Sequence, residues 1–196
     1  MTLLSIYFLT GLLAHKALWE VLKRGGTPQE RPKAKPSLLL VRGIKVTILL
    51  GVLIQTALPL LSKTGLPSQI FPITTDPARL RTIGVVLFTI GLLTAIFGRL
   101  HLGKSWSDIE TPRAADGRAV VSHGIYGYIR HPIYAGDLIM LLGLELALNS
   151  WLVLGVLCLI PVVFLRAVKE EKLLADRLTG YDEYVQRTKR FIPFVV

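Results

Sequence analysis

The sequence predicts an all-α integral membrane protein of about five transmembrane helices, the last two forming a tight helical hairpin. Two observations predict the class. Of 196 residues, 52% are hydrophobic, mean hydropathy is +0.53, and the apolar residues fall in long runs rather than amphipathic stripes. Lys and Arg gather between those runs, where the positive-inside rule and anionic lipid account for a formal charge of +10. The Asn149-Ser150 turn between two short runs predicts the hairpin. The chain reads as one membrane domain over 1–196, with three helices in 1–100 and a polar loop, hairpin and amphipathic tail in 101–196.

Leu3 to Leu22 is about 20 residues, enough at 1.5 Å each to cross a hydrocarbon core of roughly 30 Å. It has no basic leader and no small-x-small cleavage site, so it reads as a first span and not a signal peptide. His15, Lys16 and Glu20 occupy its last turns, where they snorkel or pair. Lys23 to Pro36, with five Lys or Arg, two Gly and three Pro, reads as a cytoplasmic loop. The second run, Leu38 to Leu61, carries Arg42 and Lys45 near that charged surface and Pro59 near its far end. Ser62 to Arg79 has few basic residues and is placed outside. Leu80 to Leu100 is the third span, with Gly84, Gly91 and Gly98 at seven-residue spacing on one face, a pattern that permits close helix approach.

The polar stretch from His101 to Gly124 and the basic tail belong on the cytoplasmic side, so the N-terminus is expected outside and the C-terminus inside. The fourth helix begins at Pro132 or Ile133 and reaches Leu148; the fifth runs from Trp151 to Arg166, each about 16 residues or near 24 Å. Asp137 lies near the cytoplasmic mouth. Glu145 lies deep, either as a functional carboxyl or as a cap at the outer end of the hairpin. The tail, Ala167 to Arg190, reads as an amphipathic helix with Leu174, Leu178 and Tyr181 on one face, ended by Gly180.

Nucleic acid is excluded as a partner because the basic residues lie between membrane runs. Cys158, the one cysteine, sits in an apolar run and packs as a small hydrophobe. No G-x-G-x-x-G, H-E-x-x-H or paired-Cys pattern occurs, so no metal site is expected and any nucleoside cofactor must be held without a Rossmann unit.

The densest chemistry is His123-Gly-Ile-Tyr-Gly-Tyr-Ile-Arg-His-Pro-Ile-Tyr-Ala-Gly136. Read as residues alone, it is a candidate site or a membrane boundary, with Arg130 at the surface, Pro132 in a helix's first turn, and Tyr126, Tyr128 and Tyr134 as an interfacial belt. The order Gly124-x-Tyr126-x-Tyr128-x-Arg130-His131-Pro132-x-Tyr134-x-Gly136, followed by a hydrophobic hairpin and Glu170-Glu171, resembles the isoprenylcysteine carboxyl methyltransferase family. That family belongs to a wider group of integral-membrane methyltransferases that includes phospholipid methyltransferases. The resemblance runs from Leu102-Gly103 to Arg190-Phe191-Ile192-Pro193.

The resemblance implies S-adenosylmethionine as cofactor, bound in a cytoplasmic pocket lined by His123, Tyr126, Arg130, His131, Tyr134, Glu170 and Glu171. It also implies a lipid-bearing substrate, a lipid-modified small molecule or protein C-terminus, entering from the bilayer. Tyr126 and Tyr134 offer π-faces to a sulfonium, Gly124 and Gly136 permit close backbone approach, and Arg130 suits the cofactor carboxylate. Glu170 and Glu171 point about 100° apart, so one can reach the cofactor while the other braces it or faces water. Arg166 stands where eukaryotic members carry an arginine before the Glu pair, and is the candidate for holding the methyl acceptor or marks the helix end. The acceptor implied is the carboxylate of a prenylated cysteine or an analogue. A phospholipid amine N-methyltransferase and a membrane NADPH-dependent reductase on a related scaffold are the alternatives, and a non-enzymatic scaffold is a third.

Overall fold

Backbone N–H and C=O groups in an apolar layer have to be satisfied within the segment, so long apolar runs close on themselves as helices. A computed structural model describes residues 2–24, 36–61, 71–103 and 120–194. Its helices are α1 (Thr2–Arg24), α2 (Pro36–Ala57, continued by a 3-10 turn at Leu58–Leu60), α3 (Ala78–Leu102), α4 (Pro132–Ala147), α5 (Val153–Ala175) and α6 (Tyr181–Arg187). A further 3-10 turn spans Gly124–Gly127. Among the described residues no strand forms; isolated bridges join Pro72 to Ser150 and Ile129 to Lys189.

The closest pairing is α3 on α4, and glycine makes it possible. A Cβ on Gly84 would collide with the backbone of Gly143 and Ala147, and one on Gly91 with the backbone of Gly136 and Met140. From the other side, a Cβ on Gly136 would collide with Gly91 and Ala95, and one on Gly143 with Gly84 and Phe88. Two seven-residue glycine ladders thus interlock, which bears out the close approach expected of α3. Phe8 and Leu12 of α1 pack over this seam on Phe88, Met140, Leu144 and Leu148. The Phe8 and Phe88 rings meet edge to face at 4.8 Å.

The opposite face of α3, Ile83, Val86, Ile90, Leu93, Phe97 and Leu100, is exposed, as are Leu154, Leu157, Val162 and Leu165 of α5. Outward apolar faces of this extent suit lipid rather than water. Thr2–Leu22 and Ala78–Leu102 have the length and apolarity to cross a bilayer, with mean hydropathies of 1.2 and 2.1.

At the end of the bundle away from Pro132, Gln55 Nε2 donates to Glu145 Oε2 at 2.8 Å. Asn149, at φ +58°, exchanges hydrogen bonds with Thr74: Nδ2 to Thr74 O at 2.7 Å and Thr74 N to Oδ1 at 3.1 Å. Through its bond to Gln55, Glu145 ties α2 to α4, one turn before the hairpin turn.

The tail departs from expectation. α5 does not stop at Arg166 but continues as one helix through Glu170 and Glu171 to Ala175, with Pro161 inside it. Gly180 does not end that helix; at φ +81° it is the N-cap residue of α6, where its left-handed backbone turns the chain before a new helix. The expected basic loop after α1, the outer connection and the polar loop fall at 25–35, 62–70 and 104–119 largely outside the described residues, as do the side chains of Arg42 and Lys45.

Candidate active site

Pro132 occupies the first turn of α4, where its missing N–H is no loss, and His131 is the preceding cap residue. This fixes the chain direction just before the helix, and residues 128–131 run alongside the tail, with an isolated bridge between Ile129 and Lys189. Lys189 N donates to Tyr128 O at 3.0 Å, Arg130 N to Lys189 O at 2.8 Å, and His131 N to Arg190 O at 3.0 Å.

Glu171 is the hub. Its Oε1 accepts from Arg130 Nε at 2.9 Å and Arg190 Nε at 3.0 Å, and lies 3.1 Å from His131 Nε2. Its Oε2 accepts from Arg190 Nη2 at 2.7 Å. Burial by itself would raise this carboxyl, but the hydrogen bonds from His131, Arg190 and Arg130 reverse the effect and hold it well below the usual range. Arg130 also donates through Nη1 to the carbonyls of Val185 and Thr188. The hub thus fastens α5, the α4 entry and the tail to one another.

Glu170 faces elsewhere. Its Oε2 accepts from Tyr134 Oη at 2.8 Å. Burial raises its carboxyl above the ordinary value even though His131, Tyr134 and Arg166 favour the anion. The Arg166 guanidinium stands 5.8 Å from the Tyr134 ring centre, and His131 stacks on Tyr134 at 5.4 Å with planes 11° apart. Tyr126 is buried, its carbonyl accepting from Tyr184 Oη at 2.9 Å. Burial pushes the Tyr184 phenol up to about 12.

The structure therefore brings Tyr126, Arg130, His131, Tyr134, Arg166, Glu170 and Glu171 to one end of the bundle. His123 and Gly124 stand slightly apart, against the end of α3: the His123 ring is 5.9 Å from that of His101. Gly124, at φ +60°, has no room for a Cβ because the His101 ring fills it. The missing Cβ of Gly136 is taken up by α3, as described above, so both glycines admit neighbouring parts of the chain. Arg130 likewise has Nε and Nη1 engaged by the chain itself. The sequence reading missed Arg190, Phe191 and His101. Arg190 lies 4.9 Å over Phe164, and Phe191 packs on His131 at 5.7 Å; the run Arg190-Phe191-Ile192-Pro193 at the end of the resemblance was the available signal.

Fold and site define a helical membrane protein with a carboxylate and aromatic cluster, braced by arginine, at one end of its bundle. A family model for phospholipid methyltransferases matches residues 80–179, and the chain belongs to that family. The isoprenylcysteine carboxyl methyltransferase resemblance is borne out by its relatives. A probable protein-S-isoprenylcysteine O-methyltransferase of Oryza sativa subsp. indica is 25% identical over 116 residues, 58% of this chain and 61% of the relative. The protein-S-isoprenylcysteine O-methyltransferase of Schizosaccharomyces pombe is 29% identical over 99 residues, 49% of this chain and 42% of the relative. A cobalt-zinc-cadmium resistance protein, CzcN, of Cupriavidus metallidurans is 30% identical over 113 residues, 57% of this chain and 51% of the relative. The solved structure of a eukaryotic intramembrane Ras methyltransferase, an isoprenylcysteine carboxyl methyltransferase, superposes with a TM-score of 0.51 at 25% identity, covering 59% of this chain and 43% of that one. The chain matches about two fifths to three fifths of the length of these curated relatives.

Proposed function

We propose that this protein is an integral-membrane methyltransferase that uses S-adenosylmethionine on a lipid-linked acceptor, the carboxylate of a prenylated cysteine or an analogue. The observation that carries the proposal is the division of labour in the Glu pair: Glu171 is saturated by Arg130, His131 and Arg190, while Glu170 is held by Tyr134 beside Arg166. A cationic sulfonium with an amino acid end and a ribosyl adenine needs carboxylate, aromatic faces and hydrogen-bond donors in close order, and this donor set fits it. When bound, the cofactor supplies an electrophilic methyl group.

Glu170, Tyr134, Tyr126 and His123 are proposed to line the cofactor site. Arg130, His131 and Glu171 stand behind them as a brace, so that Arg130 acts on the cofactor through Glu171 and the tail instead of pairing with it directly. Arg166 is proposed to hold the acceptor carboxylate. A carboxylate with a pKa near 4 is already ionised at neutral pH, so the chain need only align and desolvate it, with no general base. Five spans, the N-terminus outside and the site with the C-terminus in the cytoplasm complete the reading.

The family model's match over 80–179 supports phospholipid amine methylation as the second reading. Methyl transfer from labelled S-adenosylmethionine to a prenylcysteine analogue and to phosphatidylethanolamine, side by side, separates the two. Transfer to the amine alone would overturn the carboxylate reading.

A further inference from the structure

The tail that clamps Glu171 has a second face, and it points outward. Residues 188–191 run beside 128–131 through three backbone hydrogen bonds, and residue 132 is the first of α4. The tail is therefore fixed at the start of α4, where Pro132 and Ile133 pack on Gly98 near the end of the candidate span Ala78–Leu102. Arg190 and Phe191 turn inward onto Glu171, Phe164 and His131. Their neighbours turn outward: Ile192 is 55% exposed and Phe194 85%, and Tyr128, whose carbonyl accepts from Lys189 N, is 60% exposed. Arg187 and Lys189 shortly precede Ile192 and Phe194 in the chain and are exposed. Arg187 reaches Glu183 only at 4.0 Å, with both side chains more than three-quarters exposed, a geometry that contributes little.

We propose that this surface docks on the anionic headgroup layer of the bilayer that the bundle spans: Tyr128, Ile192 and Phe194 enter the interface, and Arg187 and Lys189 meet lipid phosphates. Three observations converge on lipid as the occupant. The tail adjoins the start of α4 near the end of a candidate span, so its apolar side chains are already at interfacial depth. Aromatic and aliphatic side chains close in the chain to Arg and Lys form the composition that interfacial segments use, and basic residues there favour anionic over zwitterionic lipid. The chain as a whole carries +10, which favours an anionic surface over a basic protein. Docking also has a consequence for the site. Ile192 and Phe194 follow immediately on the residues that pin Glu171 and His131, so seating them in the leaflet holds the clamp shut. Lipid composition then sets how well the candidate site is organised. The inference rests on the integral-membrane reading and is independent of the cofactor.

The test is depth. A nitroxide is placed on Phe194→Cys in a Cys158→Ser background, with labels at Leu165 and Asp182 as lipid and water references. The protein is reconstituted in nanodiscs of phosphatidylcholine alone or with phosphatidylglycerol. The proposal expects the label at position 194 to be more accessible to oxygen than to a soluble nickel chelate in the anionic discs. It expects a shallower position in the neutral discs and after Arg187→Gln with Lys189→Gln. Amide exchange at Arg130 and His131, whose N–H groups bond the tail, should rise about tenfold in an Ile192→Ser, Phe194→Ser variant, as expected from losing roughly one large apolar side chain's burial. A label open to the chelate in both discs would leave the patch facing water or a soluble partner and overturn the proposal. Equal depth in both discs would overturn the anionic selectivity. Because neither readout uses S-adenosylmethionine, failure here is distinct from failure of the methyltransferase reading.

Discussion

Replacing Glu171 by Gln should do more damage than any other single isosteric change at this site. The side chains of Arg130 and Glu171 are 8% and 11% exposed, and that of Arg190 is 22% exposed. Removing one partner from a buried ion pair costs about 3–5 kcal/mol, because the charge left behind is uncompensated. Two features place this case near the lower end, about 3 kcal/mol: Arg130 keeps the carbonyls of Val185 and Thr188, and Arg190 is partly solvated. Against a typical total of roughly 5–15 kcal/mol, that is a large fraction. The sign with pH follows from the lowered carboxyl of Glu171. Its contribution is complete above the unfolded pKa of about 4.3 and is lost as pH falls through the depressed folded value. Wild type should therefore lose stability steadily below about pH 4.3, and Glu171→Gln should flatten that part of the curve. Thermal unfolding of both proteins in nanodiscs, from neutral pH down to about pH 3, measures both effects. If Glu171→Gln lay within about 0.5 kcal/mol of wild type with an unchanged acid limb, the hub would be a crowded surface pair and the reasoning would fail.

Four further outcomes are expected. Glu170→Gln and Tyr134→Phe should weaken S-adenosylmethionine binding by roughly ten- to a hundredfold with little loss of stability, since a charge-assisted hydrogen bond is worth about 1.5–3 kcal/mol; equilibrium titration checks this. Gly143→Ala should force α3 and α4 apart and lower stability by about 1–3 kcal/mol or more, whereas Gly155→Ala, with nothing within 4 Å of the new Cβ, should be neutral or stabilising by up to about 1 kcal/mol. Arg166→Lys keeps the charge but loses the planar two-pronged donor, so kcat and kcat/KM with a prenylcysteine analogue should fall together while cofactor affinity holds; unchanged kinetics would return Arg166 to marking the helix end. A cysteine at Ser68 should label only from outside, and labelling confined to the cytoplasmic side would reverse the orientation.

The fold was legible wherever one helix explains itself. The expected spans at 3–22, 80–100 and 132–148 match helices at Thr2–Arg24, Ala78–Leu102 and Pro132–Ala147, because apolar length, Pro132 and the Asn149 turn are local signals. The glycine spacing of α3 foretold a close neighbour, and Gly136 and Gly143 carry the same spacing in α4, so the partner was there to be found. The brace was not legible. Glu171 meets Arg190 across 19 residues and Arg130 across 41, and no local pattern pairs charges over such distances. The same holds for His15 Nε2, 3.4 Å from Asp137 Oδ1, and for Gln55 with Glu145. Gly180 misled because a glycine after an amphipathic run fits the end of one helix and the cap of the next equally well. Only the backbone course from Ala175 to Tyr181 decides between them.

The cluster around Tyr134 and Glu170 is proposed to take S-adenosylmethionine. Equilibrium binding of labelled S-adenosylmethionine to the purified protein, with NADPH as competitor, tests it most directly. The expected result is saturable binding that unlabelled S-adenosylmethionine displaces, that NADPH leaves intact and that Glu170→Gln weakens. Binding of NADPH in place of S-adenosylmethionine, or of neither, would contradict it.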